Sequence, residues 1–300
     1  MRFSIWPEPS RPFEEIARLT TVCEQMGWHA AYFADHFMPN GPDATPLRGE
    51  MLEAVTVLGA LAARTSTIRL GPLVASATYR HPAVFAKMIT AIDRVSGGRA
   101  IAGMGAGWQE NEHASYGITL GTITERIDRF QEYVAIVHGM LTEETTTFEG
   151  AYFQVRDAPC DPRPVQSPLP ILLGVRGKRR TMAIAAKHAQ VWNAWTLPED
   201  LKELNAVLDR HCEAVGRDPA TLARSTQALV FLSTDEGWLA ERRGRPMTIA
   251  GTPAEVTEIV AAYESAGCDE LIVPAFTLGP TPRAIETVQL FDAEVRSHFT

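Results

Sequence analysis

A run of alternating glycines and a histidine beside an aspartate are the parts of this sequence whose residue types and spacing suit chemistry. Gly103, Gly105 and Gly107 alternate within GRAIAGMGAGWQENEHASYG, residues 98–117, after small apolar residues. The pattern predicts a buried strand that breaks into a βα turn, where the backbone passes within van der Waals distance of a flat ligand. A tight turn with close helix–sheet packing explains the same glycines, so both interpretations stay open.

Asp35 and His36 end a predicted buried strand and precede a Gly/Pro/Asn-rich loop at about 39–49, which is long enough to be a lid. An imidazole titrates near neutral pH, so His36 is our candidate for donating or accepting a proton during turnover. Asp35 is the second candidate catalytic residue, because it either orients the His36 ring or caps local backbone. A purely structural histidine is the alternative.

Basic side chains in the loop GVRGKRR, residues 174–180, follow another predicted strand and open a predicted helix. Free backbone amides at a helix N-terminus attract anions, so the loop favours a phosphate site. The Walker A pattern GxxxxGK[ST] is absent, and a solvated basic face is the alternative. Trp195, at the end of the next strand, either lines an aromatic cofactor or packs at the rim.

These candidates need a scaffold that brings strand ends together, and the hydrophobic pattern predicts one. Eight apolar strands alternate with helices, as expected for a parallel sheet that is buried on both faces. The predicted strands are Phe3–Trp6, Ala30–Ala34, Ile68–Val74, Ala100–Met104, Pro170–Leu173, Val191–Asn193, Ser225–Leu232 and Leu271–Val273. Such units close into a (β/α)8 TIM barrel, with its active site at the carboxyl ends of the strands.

We therefore predict one α/β domain over residues 1–300, with an insertion at about 145–169 that holds a strand pair and a variable segment at about 235–250. A doubly wound sheet is the main competitor. It would carry GxGxxG after its first strand, whereas the glycines here follow the fourth strand and are spaced GxGxG.

Composition limits the partners and the compartment. The net charge of −8 and the lack of a basic run argue against nucleic acid and anionic membranes. The four cysteines are widely spaced, and neither an export signal nor a spanning segment is visible, so we expect a cytoplasmic protein with reduced thiols. Scattered histidines without HxH or HExxH predict no metal site, and the absence of GxSxG disfavours a serine hydrolase.

The segment GRAIAGMGAGWQENEHASYGI closely resembles a signature of the bacterial-luciferase-like flavin and deazaflavin oxidoreductases. The resemblance continues through YFADHF, IRLGPLVASATYRHPAVFAK, ERIDRFQEYVAIVHGML, PILLGVRGKRR and VWN, and it is strong over about residues 1–195. The segments ITAIDRVSGGR, GAGW and YGI are most similar to those of the branch that uses coenzyme F-420, an 8-hydroxy-5-deazaflavin.

The resemblance implies a role for each matching position. Leu73-Val74 matches a non-prolyl cis peptide that backs the central ring of the flavin, and His36 matches a histidine near the reactive ring carbon. The loop at 174–179 matches the cofactor-phosphate loop. The expected cofactor-binding residues are Leu73, Val74, Ser76, Gly105, Ala106, Gly107, Trp108, Asn111, Gly174, Val175, Arg176, Gly177, Lys178, Arg179 and Trp195.

Two departures separate this chain from the sugar-phosphate and secondary-alcohol dehydrogenases of the family. Trp108 replaces a glutamate, and Asn40 replaces a tryptophan, so neither substrate is carried over. The resemblance implies an F-420-dependent oxidoreductase that acts on a small organic substrate, and often a homodimer. The alternative is an FMN-dependent monooxygenase supplied with reduced flavin by a separate reductase.

Overall fold

A parallel β-barrel surrounded by helices forms the body of the protein in a computed structural model that describes residues 1–299. The strands are β1 (Arg2–Trp6), β2 (Ala30–Phe33), β3 (Arg69–Pro72), β4 (Ala75–Ser76), β5 (Ala102–Gly105), β6 (Thr145–Glu149), β7 (Gln154–Pro159), β8 (Ile171–Gly174), β9 (Val191–Asn193), β10 (Ala223–Gln227), β11 (Leu229–Leu232), β12 (Thr248–Gly251) and β13 (Glu270–Pro274).

Helices follow the barrel strands along the chain and pack on the outside of the sheet. They are α1 (Phe13–Gln25), α2 (Ala54–Arg64), α3 (Pro82–Ser96), α4 (Glu110–Tyr116), α5 (Ile123–Thr142), α6 (Thr181–His188), α7 (Pro198–Ala214), α8 (Glu236–Ala240), α9 (Pro253–Ser265) and α10 (Thr281–Glu294). No helix in this described part of the chain is long and apolar enough to cross a membrane.

The strand order β3-β2-β1-β13-β10-β9-β8-β5-β4 is that of a nearly closed cylinder. Strand β4 continues β3 after a short break and pairs with β5, and a parallel bridge between Leu70 and Ala100 joins the two ends of the sheet. Counting β3 and β4 as one position gives eight positions, so the predicted (β/α)8 barrel is confirmed.

Successive residues of a strand face opposite sides of the sheet, and both sides are buried in this barrel. The strands therefore do not alternate between apolar and polar residues. Ala30, Tyr32 and Ala34 belong to a small cluster inside the barrel, whereas Ala31 and Phe33 belong to the large cluster under the helices. Both faces of β2 are therefore buried in apolar surroundings.

Two helices begin with capping boxes formed by residues three positions apart. Thr252 starts α9 with a capping box to Glu255, and Thr122 starts α5 in the same way with Glu125. The predicted strand pair around Glu149-Gly150 is the antiparallel hairpin of β6 and β7.

Two predicted strands are interrupted in the structure. The segment Ser225–Leu232 is split at Ala228: β10 stays in the barrel, whereas β11 pairs in parallel with β12, which lies in the segment predicted to be variable. The segment Ile68–Val74 ends as a strand at Pro72, and the Leu73-Val74 peptide bond is cis, so the cis bond that the resemblance implies is confirmed. The residue pattern of 225–232 does not reveal its division at Ala228, because that pattern is compatible with either path.

Candidate functional site

A cavity of about 410 Å³ opens at the carboxyl ends of the barrel strands. It collects most of the residues predicted from the sequence. Those that line it are Asp35, His36, Leu73, Val74, Ser76, Gly105, Gly107, Trp108, Gly174, Val175, Arg176 and Trp195. The barrel therefore brings together residues that lie up to 160 positions apart.

Gly105 at the end of β5 and Gly107 just after it make room for Val74 and Ser76. A Cβ on Gly105 would lie 2.5 Å from Val74 Cγ2, and one on Gly107 would lie 2.7 Å from Ser76 Oγ. Gly107 also has a φ of +83°, which side chains other than glycine rarely adopt. The groups that pass close to the glycine backbone are thus the side chains of Val74 and Ser76. These two residues form the cavity wall together with the glycines.

His36 is held by a carboxylate that the sequence interpretation missed. His36 Nδ1 lies 2.8 Å from Glu112 Oε1, and the Phe37 amide donates to Glu112 Oε2 at 2.7 Å. The Tyr79 hydroxyl also donates to Glu112. Burial opposes the charge of Glu112, but these hydrogen bonds, first that of His36, outweigh it and hold the pKa of Glu112 below its ordinary value.

An ionised carboxylate only accepts hydrogen bonds, so the proton between His36 and Glu112 belongs to Nδ1. Nε2 is then the imidazole nitrogen left for the cavity that His36 lines. The Glu112 side chain has no exposed surface, whereas that of His36 is 24% exposed. The hydrogen bond from Nδ1 to Glu112 therefore fixes the tautomer of His36 and leaves Nε2 as the basic atom.

Asp35 has a different partner from the one considered for it. Both of its carboxylate oxygens accept from Arg80, at 2.6 and 2.8 Å, and Oδ2 also accepts from the Ser76 amide at 3.0 Å. Arg80 pairs with Glu53 as well. Glu112, not Asp35, orients the His36 ring, and Asp35 instead ties β2 to β4 beneath the cavity.

The basic loop after β8 lies at the edge of the cavity, but acidic residues already pair with it. Arg176 contacts Asp200 at 2.8 Å and Lys178 contacts Glu203 at 2.5 Å. Helix α6 begins at Thr181, two residues after the start at Arg179 that the sequence predicts, so Gly177 is not at its N-terminus. An anion that binds this loop must compete with both acids.

Five predicted cofactor residues lie outside the lining of this cavity: Ala106, Asn111, Gly177, Lys178 and Arg179. Asn111 is fully buried on α4, and its amide donates to the carbonyl of Pro39 at 2.9 Å. This contact anchors the start of the predicted lid. The role of these five residues in cofactor binding remains a prediction.

Polar side chains from β9 and β10 complete the cavity and were not among the predicted site residues. Asn193 Nδ2 donates to Gln227 Oε1 at 2.9 Å and to Ser225 Oγ at 3.0 Å. Asn193 and Gln227 line the cavity, as do Trp6 and Tyr79. Their position at strand ends was the one signal that could have identified them, since a barrel places its site there.

A second cavity of about 470 Å³ adjoins the first and shares Trp6, His36, Trp108 and Trp195 with it. Its other walls include Met38, Pro39 and Asn40 at the start of the predicted lid. His36 thus stands between two spaces, as a proton-transfer group between two bound molecules would.

The first cavity fits a flat, mainly apolar ring. Its volume lies within the range of about 300–1,000 Å³ that is usual for small-molecule sites. Leu73, Val74 and the side-chain-free Gly105 and Gly107 offer a smooth wall, and Asp35 and Arg176 are the charged residues of the lining. Within residues 1–299, no group of three or more metal-ligating side chains comes together.

Comparison with known proteins agrees with the fold. A family model for luciferase-like monooxygenases matches residues 1–237. An F-420-dependent glucose-6-phosphate dehydrogenase from Kineococcus radiotolerans is 34% identical over 298 residues, which cover 87% of each chain. Other relatives of that name match over shorter regions, where this chain spans about half of their length.

Two solved structures illustrate the range of similar folds. The coenzyme F-420-dependent tetrahydromethanopterin reductase from Methanopyrus kandleri has a TM-score of 0.84 at 22% identity, covering 100% of this chain and 99% of that one. The oxygenating constituent of 3,6-diketocamphane monooxygenase from Pseudomonas putida, solved with FMN, has a TM-score of 0.74 at 18% identity, covering 98% of both. At these identities the likeness shows the fold alone. The barrel, the family model and the full-length relative together show that this chain is an enzyme that belongs to the luciferase-like monooxygenase family.

Proposed function

We propose that the protein is an F-420-dependent oxidoreductase that transfers a hydride between the deazaflavin and a small organic substrate. The observation that carries this proposal is the position of His36, which is braced by Glu112 and lies between two adjoining cavities. The full-length likeness to an F-420-dependent dehydrogenase supports the choice of cofactor.

The first cavity would hold the ring system. Leu73, Val74, Gly105 and Gly107 would contact its face, and Trp195 its edge. Arg176, with Lys178 beyond it, would meet the phosphate in exchange for Asp200 and Glu203. When bound, the deazaflavin supplies or accepts the hydride.

The protein itself manages the proton. With Nδ1 bonded to Glu112, neutral His36 accepts a proton at Nε2, and the imidazolium gives it back from the same atom. The anionic Glu112 stabilises the imidazolium between these events. In the oxidising direction His36 is the base for a substrate hydroxyl, and in the reducing direction it is the acid.

A fluorescence titration of the purified protein with F-420 and, separately, with FMN tests this proposal. We expect saturable binding of F-420 and none of FMN at the same concentrations. His36→Ala is expected to bind F-420 as the wild type does but to lose turnover, whereas His298→Ala, which removes an exposed histidine near the end of α10, should retain both. Binding of FMN without F-420 would overturn the proposal.

The second candidate is an FMN-dependent monooxygenase, which the fold of the Pseudomonas putida enzyme brings into consideration. It would need reduced flavin from a separate reductase and would consume oxygen. Oxygen uptake that depends on reduced FMN would establish this alternative, because a reduced deazaflavin reacts poorly with oxygen.

A further inference from the structure

Aromatic rings and thioethers form much of the lining of the second cavity. The rings of Trp6 and Phe276 meet edge to face with centroids 5.0 Å apart, and the ring of Trp195 is tilted against Trp6 with centroids 6.0 Å apart. Trp108 is 55% exposed and Phe276 is 38% exposed, so both leave large apolar surfaces at the mouth. The apolar box of the second cavity consists of Trp6, Met38, Met51, Trp108, Trp195 and Phe276.

Exposed aromatic surface around a concave space is typical of a ligand site rather than of ordinary protein surface. Trp108 also reaches the imidazole: its ring meets that of His36 edge to face, with centroids 5.4 Å apart. A molecule stacked in the apolar box would therefore lie next to the candidate proton donor.

The charges around this cavity disfavour an anion. The lining contains no lysine or arginine. Its carboxylate, Glu8, is engaged by Arg11 Nε at 3.0 Å and by Ser10 Oγ at 2.9 Å.

From this lining we infer that the substrate is a neutral, flat, mainly apolar molecule with one polar atom facing His36, and not a phosphorylated or otherwise anionic one. That the bound molecule is the substrate rests on the proposed function. The preference of the second cavity for a neutral, apolar molecule rests on the cavity alone. Stacking on Trp108 supplies much of the affinity, since an aromatic ring contributes apolar area and a directional face.

Isothermal titration of the cofactor-free protein with coumarin, a neutral flat probe, and with glucose 6-phosphate, an anionic one, tests the inference without turnover. We expect coumarin to bind and glucose 6-phosphate to bind at least tenfold more weakly. Trp108→Glu and Phe276→Glu should each weaken coumarin at least tenfold, and Trp108→Phe should stay within about threefold of the wild type. Phe276 lines the second cavity and not the first, so its effect assigns coumarin to the second cavity. Tyr152→Glu makes the same change at an exposed aromatic residue that lines neither cavity and should leave coumarin binding unchanged.

The outcomes separate the two proposals. Tighter binding of glucose 6-phosphate than of coumarin, or coumarin binding that is indifferent to Phe276→Glu, would overturn the substrate class whatever the cofactor is. A protein whose coumarin binding depends on Phe276 but that does not bind F-420 would overturn the proposed function and leave the cavity preference standing.

Discussion

Replacing Glu112 with glutamine keeps the size of a fully buried side chain but removes the charge that fixes His36. In the wild type, both oxygens of Glu112 accept hydrogen bonds, one from His36 and Tyr79 and the other from the Phe37 amide. Glutamine has one oxygen and one amino group for these positions. It cannot accept on both sides.

Each orientation of the new amide has a cost. If its oxygen keeps the Phe37 amide, its amino group faces His36 Nδ1, which must then accept, so the ring proton moves to Nε2 and the base is lost. If the amide turns over, the partly buried Phe37 amide loses its acceptor, which costs about 1–3 kcal/mol. Since 1.36 kcal/mol corresponds to a tenfold change, the productive tautomer becomes about 5- to 150-fold rarer.

The tautomer is measurable without a substrate. In histidine-labelled protein, long-range ¹⁵N–¹H correlation spectra should show the proton of His36 at Nδ1 in the wild type and at Nε2 in Glu112→Gln. We expect kcat/KM to fall by about 5- to 150-fold in parallel. Glu110→Gln, which removes an exposed carboxylate from the same helix, is the matched control and should change neither.

An unchanged His36 spectrum in Glu112→Gln would refute this reasoning, because the hydrogen bond at Nδ1 would then not determine the tautomer. A lost signal caused by unfolding is distinguishable, since the other histidine signals would shift as well.

Three further predictions concern stability and are checked by urea unfolding. Gly105→Ala should lower the unfolding free energy by about 1–3 kcal/mol, because its Cβ would lie 2.5 Å from Val74 Cγ2; addition of Val74→Ala should recover part of this loss, and strictly additive effects would contradict the clash. Arg80→Met leaves a buried carboxylate unpaired and should cost about 3–5 kcal/mol, whereas Arg64→Met, which breaks an exposed pair, should cost less than about 1 kcal/mol. Burial lowers the pKa of His188 to about 4, so the folded protein binds fewer protons there than the unfolded chain does. The contribution of neutral His188 to the unfolding free energy is therefore complete above pH 6.5 and is lost as the pH falls toward 4. His188→Gln should therefore lose about 2 kcal/mol less than the wild type between pH 7 and pH 5, and equal losses would assign the acid sensitivity to other groups.

Much of the barrel was predictable because most of its strands are short apolar runs bounded by turn residues, and several helices carry a start signal of their own. Thr252 illustrates this, since its capping box with Glu255 is made from residues three positions apart. The division of Ser225–Leu232 into β10 and β11 was not predictable, because its cause is a parallel partner, β12, that lies further along the chain.

The site shows the same division. The sequence by itself determined that His36, the glycines of β5 and Trp195 meet at one end of a cylinder, because the carboxyl ends of parallel barrel strands must converge there. Only the tertiary structure decided which carboxylate serves His36: Asp35 is adjacent in sequence, but Glu112, 76 positions away, makes the bond. The physical reason is that side-chain pairing depends on how α4 packs against the start of the lid, and no local pattern encodes that contact.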